Sequence, residues 1–232
     1  MVEPSPSAPT TSEAAVFEAA LFDLDGTLVD TEPRSQAAWQ RLFDVHGVPH
    51  EPGLVASFAG RPGKVVLAEN LHRFGPGHTV AELFTEALSY ATAPAEPVAG
   101  AVELVRSLHE RGVPIGVVTS GTRDYAHAEL DTLGLRPLFD VVITAEDVTA
   151  GKPDPEGYLA GCRALGVAPG RTVVFEDAPA GVAAAKAAGA FCVALTTTQP
   201  ASALASADLV VADLSEVDWA GTGQPTRRVS PA

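Results

Sequence analysis

The residues best suited to chemistry stand just after short apolar runs. The run Ala19–Asp23 continues into Phe22-Asp23-Leu24-Asp25-Gly26-Thr27. Two carboxylates two residues apart leave this run together, and Gly26 permits a sharp turn. One cation and one substrate can then meet both acids, although a turn with solvated aspartates has the same pattern. A second run ends in Val117-Val118-Thr119-Ser120-Gly121-Thr122. The Ser120 hydroxyl and free backbone N–H groups at a helix start suit an anion, whereas Ser120 or Thr122 alone also serves as a helix cap. Lys152 lies between Gly151 and Pro153, a point charge on a stiff turn. The fourth run ends in Phe175-Glu176-Asp177-Ala178-Pro179. Its adjacent acids suit a hard cation that prefers oxygen ligands, or Asp177 caps the next helix. What persuades is the conjunction of an acid pair, a hydroxyl, a lysine and a second acid pair at separate strand ends.

These residues need a scaffold that brings strand ends together. Short β-branched runs recur at Ala19–Asp23, Pro114–Thr119, Asp140–Thr144, Thr172–Phe175, Phe191–Leu195 and Asp208–Val211. Continuous rather than alternating apolar runs suit strands buried on both faces of a parallel sheet. Between them lie helical patterns, such as Ala101, Leu104, Val105 and Leu108. Strand and helix in alternation predict a doubly wound α/β sheet, whose ligand site lies beyond the carboxyl ends of its strands. From Glu32 to Pro97 the alternation stops. Trp39, Leu42, Phe43 and His46 have helical spacing, with Gly- and Pro-containing joints around residues 47–49, 60–63 and 75–77. A helical insert placed directly after the first strand and its turn is positioned to act as a lid. The expected layout is a tail over 1–15, a core domain over 16–31 and 98–217, an inserted helical cap over 32–97, and a disordered tail over 218–232.

Composition narrows the class. The chain has 232 residues, 46% of them hydrophobic, enough for a full core. Lys and Arg total 15 against 29 Asp and Glu, a formal charge of −14, so no nucleic-acid surface is expected. No segment reads as a membrane anchor or a secretory signal. Cys162 and Cys192 lack metal-site or redox-motif spacing and read as reduced thiols, which points to the cytoplasm. A monomer is expected. An acidic protein that binds an anion must concentrate positive charge locally, through a metal or a few placed basic groups.

The segments 22–30, 118–121, 151–155 and 176–181 together resemble the four motifs of the haloacid dehalogenase (HAD) superfamily. The resemblance spans about residues 17–215 and implies a HAD-like Rossmannoid core. The insert resembles the helical cap of the subgroup holding β-phosphoglucomutase and small sugar phosphatases. It implies that Asp23 is a nucleophile forming an aspartyl phosphate, and that Asp25 is the general acid and base. It implies Mg²⁺ held by Asp23, the Asp25 carbonyl and Asp177, with Glu176 coordinating directly or through water. It also implies that Ser120, the Gly121 N–H and Lys152 bind phosphoryl oxygens, with Thr27 supporting the first turn. The HAD dehalogenases lack the second aspartate, so Asp25 with Glu176 and Asp177 argues for phosphoryl transfer.

The substrate expected is a small phosphorylated metabolite, a hexose or polyol phosphate. Arg61 and Lys64 are the cap candidates for contacting it, with Arg34, Gln36 and Arg123 as weaker ones. β-Phosphoglucomutase is the alternative activity. That enzyme carries a cap histidine at the position matching Ser35, which favours hydrolysis here. Phosphoglycolate- or glycerol-phosphate-type phosphatases, or a non-catalytic phosphometabolite-binding module, complete the set.

Overall fold

The structure is a computed structural model. It describes residues 16–228 apart from 52, 59, 60, 62 and 95. The expected N-terminal tail, and the joint residues Gly60 and Pro62, lie outside the described residues. In chain order the elements are β1 (Ala19–Phe22), β2 (Val29–Asp30), α1 (Glu32–Val45), α2 (Gly63–Asn70), α3 (Val80–Tyr90) and β3 (Glu96–Pro97). Then follow α4 (Ala101–Glu110), β4 (Ile115–Val118), α5 (Arg123–Thr132), β5 (Val141–Ile143) and α6 (Glu156–Leu165). The chain continues through β6 (Thr172–Glu176), α7 (Pro179–Ala188), β7 (Phe191–Leu195), β8 (Leu209–Val211), β9 (Val217–Asp218) and β10 (Thr226–Arg227).

Six strands form one parallel sheet in the order β5-β4-β1-β6-β7-β8. The continuous apolar strands are explained by what covers them. Ala20 and Phe22 face one core cluster with Leu104, Val105 and Leu130, from α4 and α5. Leu21 faces the other, with Tyr158 and Cys162 of α6 and Val182 and Ala185 of α7. With helices on both faces, every side chain of β1 is buried. β1 is paired on both sides, with β4 and β6, and the chain departs from it in opposite directions along the sheet. This is the switch point at which loops splay apart and leave a crevice.

The inserted helices build a core of their own. Leu42 and Phe43 of α1, Val66 and Leu67 of α2 and Leu83 of α3 bury one another, with Phe58 and Phe74. Pro33 in the first turn of α1 and the Thr79–Glu82 capping box of α3 start two of these helices. The insert joins the core through a two-residue antiparallel ladder, Val29–Asp30 against Glu96–Pro97. The sequence showed no strand over 32–97, because two residues are too few to leave a period.

The expectation of a disordered tail from 218 is corrected. To Arg228 the chain is built into the fold: β9 and β10 pair antiparallel, and Trp219 is buried in the α4 side of the core, 6% exposed. One tryptophan anchors a segment whose Gly, Thr and Pro otherwise read as unstructured. Both cysteines are buried and free. Among the described residues no helix is long and apolar enough to cross a membrane.

Candidate active site

β1 delivers Asp23 directly, and β6 delivers Glu176 and Asp177 from the adjacent strand. Carboxylate oxygens of these three residues lie within 4.8 Å of one another, and all three residues are buried. Lys152 reaches the same point from the loop before α6. Its ammonium contacts the Asp23 carboxylate, donates to Glu176 Oε1 at 2.7 Å, and donates to the Val118 carbonyl at the end of β4 at 3.0 Å. So β1, β4 and β6 converge on one lysine.

Glu176 is saturated with donors. Oε1 accepts from Lys152 and from the Tyr158 hydroxyl at 2.7 Å, while Oε2 accepts from the N–H groups of Asp177 and Ala178 at 3.0 and 3.1 Å. Room for this side chain depends on Gly181 in the first turn of α7, where a Cβ would lie 1.6 Å from Glu176 Oε1. Asp177 accepts from Thr27 at 3.3 Å and from the Thr198 hydroxyl. Gly26 packs its backbone on Asp177 with φ of 80°, and a Cβ there would lie 2.3 Å from Asp177 Oδ2. Any other residue would meet both a clash and a left-handed backbone penalty.

Electrostatics follow from the packing. Burial raises the Asp23 carboxyl well above its usual range, with Lys152 pulling it down and Glu176 and Asp177 pushing it up. Burial, then the charge of Glu176, raises Asp177 to about 7. The Lys152 ammonium is held charged against its own burial by Asp23 and Glu176. Among the described residues, Lys152 contacts two of the three buried carboxylates, Asp23 and Glu176, while Asp177 accepts only from hydroxyls, which leaves a deficit of positive charge. The donors are all hard oxygens, which is the donor set of Mg²⁺ rather than of a soft metal.

Asp25 stands beside this cluster. Burial raises its carboxyl too, and the Tyr125 hydroxyl donates to Oδ1. The loop after β4 stays at the site's edge: Ser120 is exposed, and the Gly121 N–H donates to Thr119 Oγ1 at 2.9 Å. Ser120 and Lys152 line one small cavity. Thr122 caps α5.

Between core and insert opens a cleft of about 690 Å³. Asp25, Asp177 and Thr198 lie on its core side; Ser35, Trp39, Phe58, Arg61 and Phe84 lie on the other. The basic candidates divide here. Arg61 lines the cleft while holding Glu69 at 2.7 Å. Lys64 is exposed, with its ammonium 5.4 Å from the Phe84 ring centre, and is not part of the lining. Gln36 donates to Glu32, and Arg123 pairs with Asp147 on the surface. Arg34 turns to α5, where it binds Glu129 and Tyr125. The sequence reading missed Tyr158, Thr198, Tyr125 and Glu129. No local pattern marks them, because each meets its partner across 18 to 100 residues of chain.

Residues 17–189 match the haloacid dehalogenase-like hydrolase family. The chain is 53% identical over 212 residues to validoxylamine A 7′-phosphate phosphatase of Streptomyces hygroscopicus subsp. limoneus, covering 90% of this chain and 99% of that one. It is 37% identical over 203 residues to hexitol phosphatase A of Escherichia coli K12, covering 85% and 91%. Among solved structures, a HAD family hydrolase of Deinococcus radiodurans R1 with bound phosphate and sodium superposes with a TM-score of 0.75 at 30% identity, covering 87% and 93%. The chain therefore belongs to the haloacid dehalogenase-like hydrolases. Within that family it is a phosphoric monoester hydrolase.

Proposed function

We propose that this protein is a Mg²⁺-dependent phosphatase of small sugar or polyol phosphates, working through an aspartyl phosphate on Asp23. The observation that carries this reading is the buried cluster of Asp23, Glu176 and Asp177, with Lys152 paired to Asp23 and Glu176, and Asp177 and Asp25 lining the cleft. The similarity to phosphatases named for phosphorylated carbohydrate-like compounds supports it.

Asp23 attacks phosphorus, and the ester oxygen leaves with a proton from Asp25. An acid must be protonated when substrate arrives. Burial raises Asp25 in that direction. In the second step Asp25 takes a proton from water as it attacks the acyl phosphate, which returns Asp23 and releases phosphate. Lys152 and Ser120, which line one cavity, hold the non-bridging oxygens as charge builds on them, while the Gly121 N–H donates to Thr119 Oγ1. Asp23, the Asp25 carbonyl and Asp177 would hold Mg²⁺. When bound, it neutralises charge between carboxylates and phosphate. Glu176, the third carboxylate of the cluster, would face the ion directly or through water, and its hydrogen bonds orient Lys152 and the Asp177 backbone.

The cap side of the cleft fits a substrate with both apolar and hydroxylated faces. Trp39, Phe58 and Phe84 meet C–H surface, while Thr31, Ser35 and Gln199 meet hydroxyls. Arg61 reaches a second polar group from the rim. Ser35 has no imidazole with which to assist transfer, in keeping with hydrolysis rather than mutation.

The test is phosphate release from a panel of hexose, hexitol and glycerol phosphates, with Mg²⁺ and with EDTA. The expected outcome is metal-dependent release favouring six-carbon substrates. Glucose 6-phosphate accumulating from β-glucose 1-phosphate faster than phosphate would contradict it.

A further inference from the structure

Arg34, Glu129, Tyr125 and Asp25 form a chain of contacts that phosphate chemistry does not require. Tyr125 and Glu129 are four residues apart on α5 and so share one face. Arg34, in the first turn of the inserted helix α1, donates through Nη1 to Glu129 Oε1 at 2.6 Å and through Nη2 to the Tyr125 hydroxyl at 3.0 Å. Its guanidinium carbon stands 5.9 Å from the Tyr125 ring centre. The Tyr125 hydroxyl has one proton, and it goes to Asp25 Oδ1. Every donor therefore points the same way, from Arg34 through Tyr125 to Asp25, an order in which each bond polarises the next.

The components are costly to place there. Glu129 is 7% exposed, and a buried carboxylate on a core helix needs a fixed cation. That cation comes from the insert, 95 residues away in sequence. Ala126 and Leu130 of α5 pack into the core of the sheet with the Tyr125 ring partly buried against it, while the Tyr125 hydroxyl and Glu129 carboxylate go to Asp25 and Arg34.

We propose that Tyr125 is a positioning residue for Asp25, and that Arg34, clamped by Glu129, aims the Tyr125 hydroxyl. The inference rests on Asp25 serving as general acid. Its consequence is specific. An acid held in line with the leaving oxygen matters most when that oxygen leaves poorly. Loss of the Tyr125 hydroxyl should harm poor leaving groups and spare good ones.

The experiment measures kcat/KM of the full chain with Mg²⁺ on phenyl phosphate and p-nitrophenyl phosphate, two esters of similar shape. Tyr125→Phe keeps the ring and removes only the hydroxyl. Against phenyl phosphate it should lose about 10- to 100-fold, part of the ~10²–10⁴-fold that general acid–base catalysis supplies. Against p-nitrophenyl phosphate it should lose less than about threefold on the same basis. Glu129→Gln, which loosens Arg34 without removing it, should show the same selectivity more weakly, and it serves if Tyr125→Phe folds poorly. Equal losses on both esters, or no loss on either, would overturn the proposal. Asp25→Asn separates the two readings. If Asp25→Asn discriminates between the esters and Tyr125→Phe does not, positioning fails alone. If Asp25→Asn does not discriminate, the general-acid reading has failed first.

Discussion

The two walls of the cleft are built on opposite principles. On the core wall, charged groups are buried and paired: Asp23, Glu176 and Asp177 are each under 10% exposed and each carries a hydrogen bond. On the cap wall the charge at the rim, Arg61, is exposed and pairs with Glu69, and aromatic side chains line the opening. The core wall fixes a reaction common to every substrate. The cap wall supplies contact area that can be reshaped without disturbing it. Substitutions on the core should therefore change kcat by orders of magnitude, and those on the cap should change KM modestly.

The largest effect is expected at Asp23. Asp23→Asn should reduce kcat by on the order of 10⁴-fold or more, as loss of a covalent nucleophile does, with an unchanged circular dichroism spectrum. Lys152→Ala comes next. Removing the one contacting cation leaves Asp23 and Glu176 buried and uncompensated, so kcat should fall by about 10²–10³-fold. Denaturant unfolding should register a loss of about 3–5 kcal/mol. A variant of near-native stability and rate would mean that the two walls do not differ in this way.

Metal dependence sharpens the comparison through pH. Asp177 titrates near 7 in the fold against 3.8 ordinarily. The folded state then binds more protons than the unfolded chain between those values. Its contribution to stability falls as pH rises through that window and is fully lost above it. Mg²⁺ binds the ionised carboxylate, so it should raise the melting temperature more at pH 8 than at pH 5. Asp177→Asn should abolish most of that difference. Equal Mg²⁺ shifts at both pH values would argue against Asp177 as a ligand.

The smallest effects belong to the cap. Trp39→Ala should raise KM for a favoured sugar phosphate about tenfold, the equivalent of ~1.4 kcal/mol, while inhibition by inorganic phosphate stays unchanged. Lys64→Ala, outside the cleft lining, should alter KM by less than about twofold, as surface substitutions generally do. A large Lys64 effect would redraw the cap wall.

Much of the core wall was legible because its residues sit at strand ends, where type and local spacing carry the signal. Asp23, Glu176 and Lys152 announce themselves next to apolar runs, and the parallel sheet brings them together. The groups that tune them were not legible. Tyr158, Thr198 and Tyr125 look like ordinary core or loop residues, and only the fold reveals that their hydroxyls end on Glu176, Asp177 and Asp25. Arg34 shows the converse error. A lone arginine in the insert read as a weak substrate contact, yet it is held by Glu129 of a core helix. Charge type alone does not tell a cleft-facing cation from one that ties two elements together. The same holds for Trp219, whose burial organises a segment that composition had assigned to disorder.

The most direct test of the central claim is to quench turnover with acid within milliseconds of mixing enzyme, Mg²⁺ and substrate, and then map the peptides by mass spectrometry. The predicted result is a phosphoryl group on the peptide containing Asp23, absent with EDTA and absent in Asp23→Asn. Phosphate release by Asp23→Asn at the native rate, or a phosphoryl group on another residue, would contradict the account.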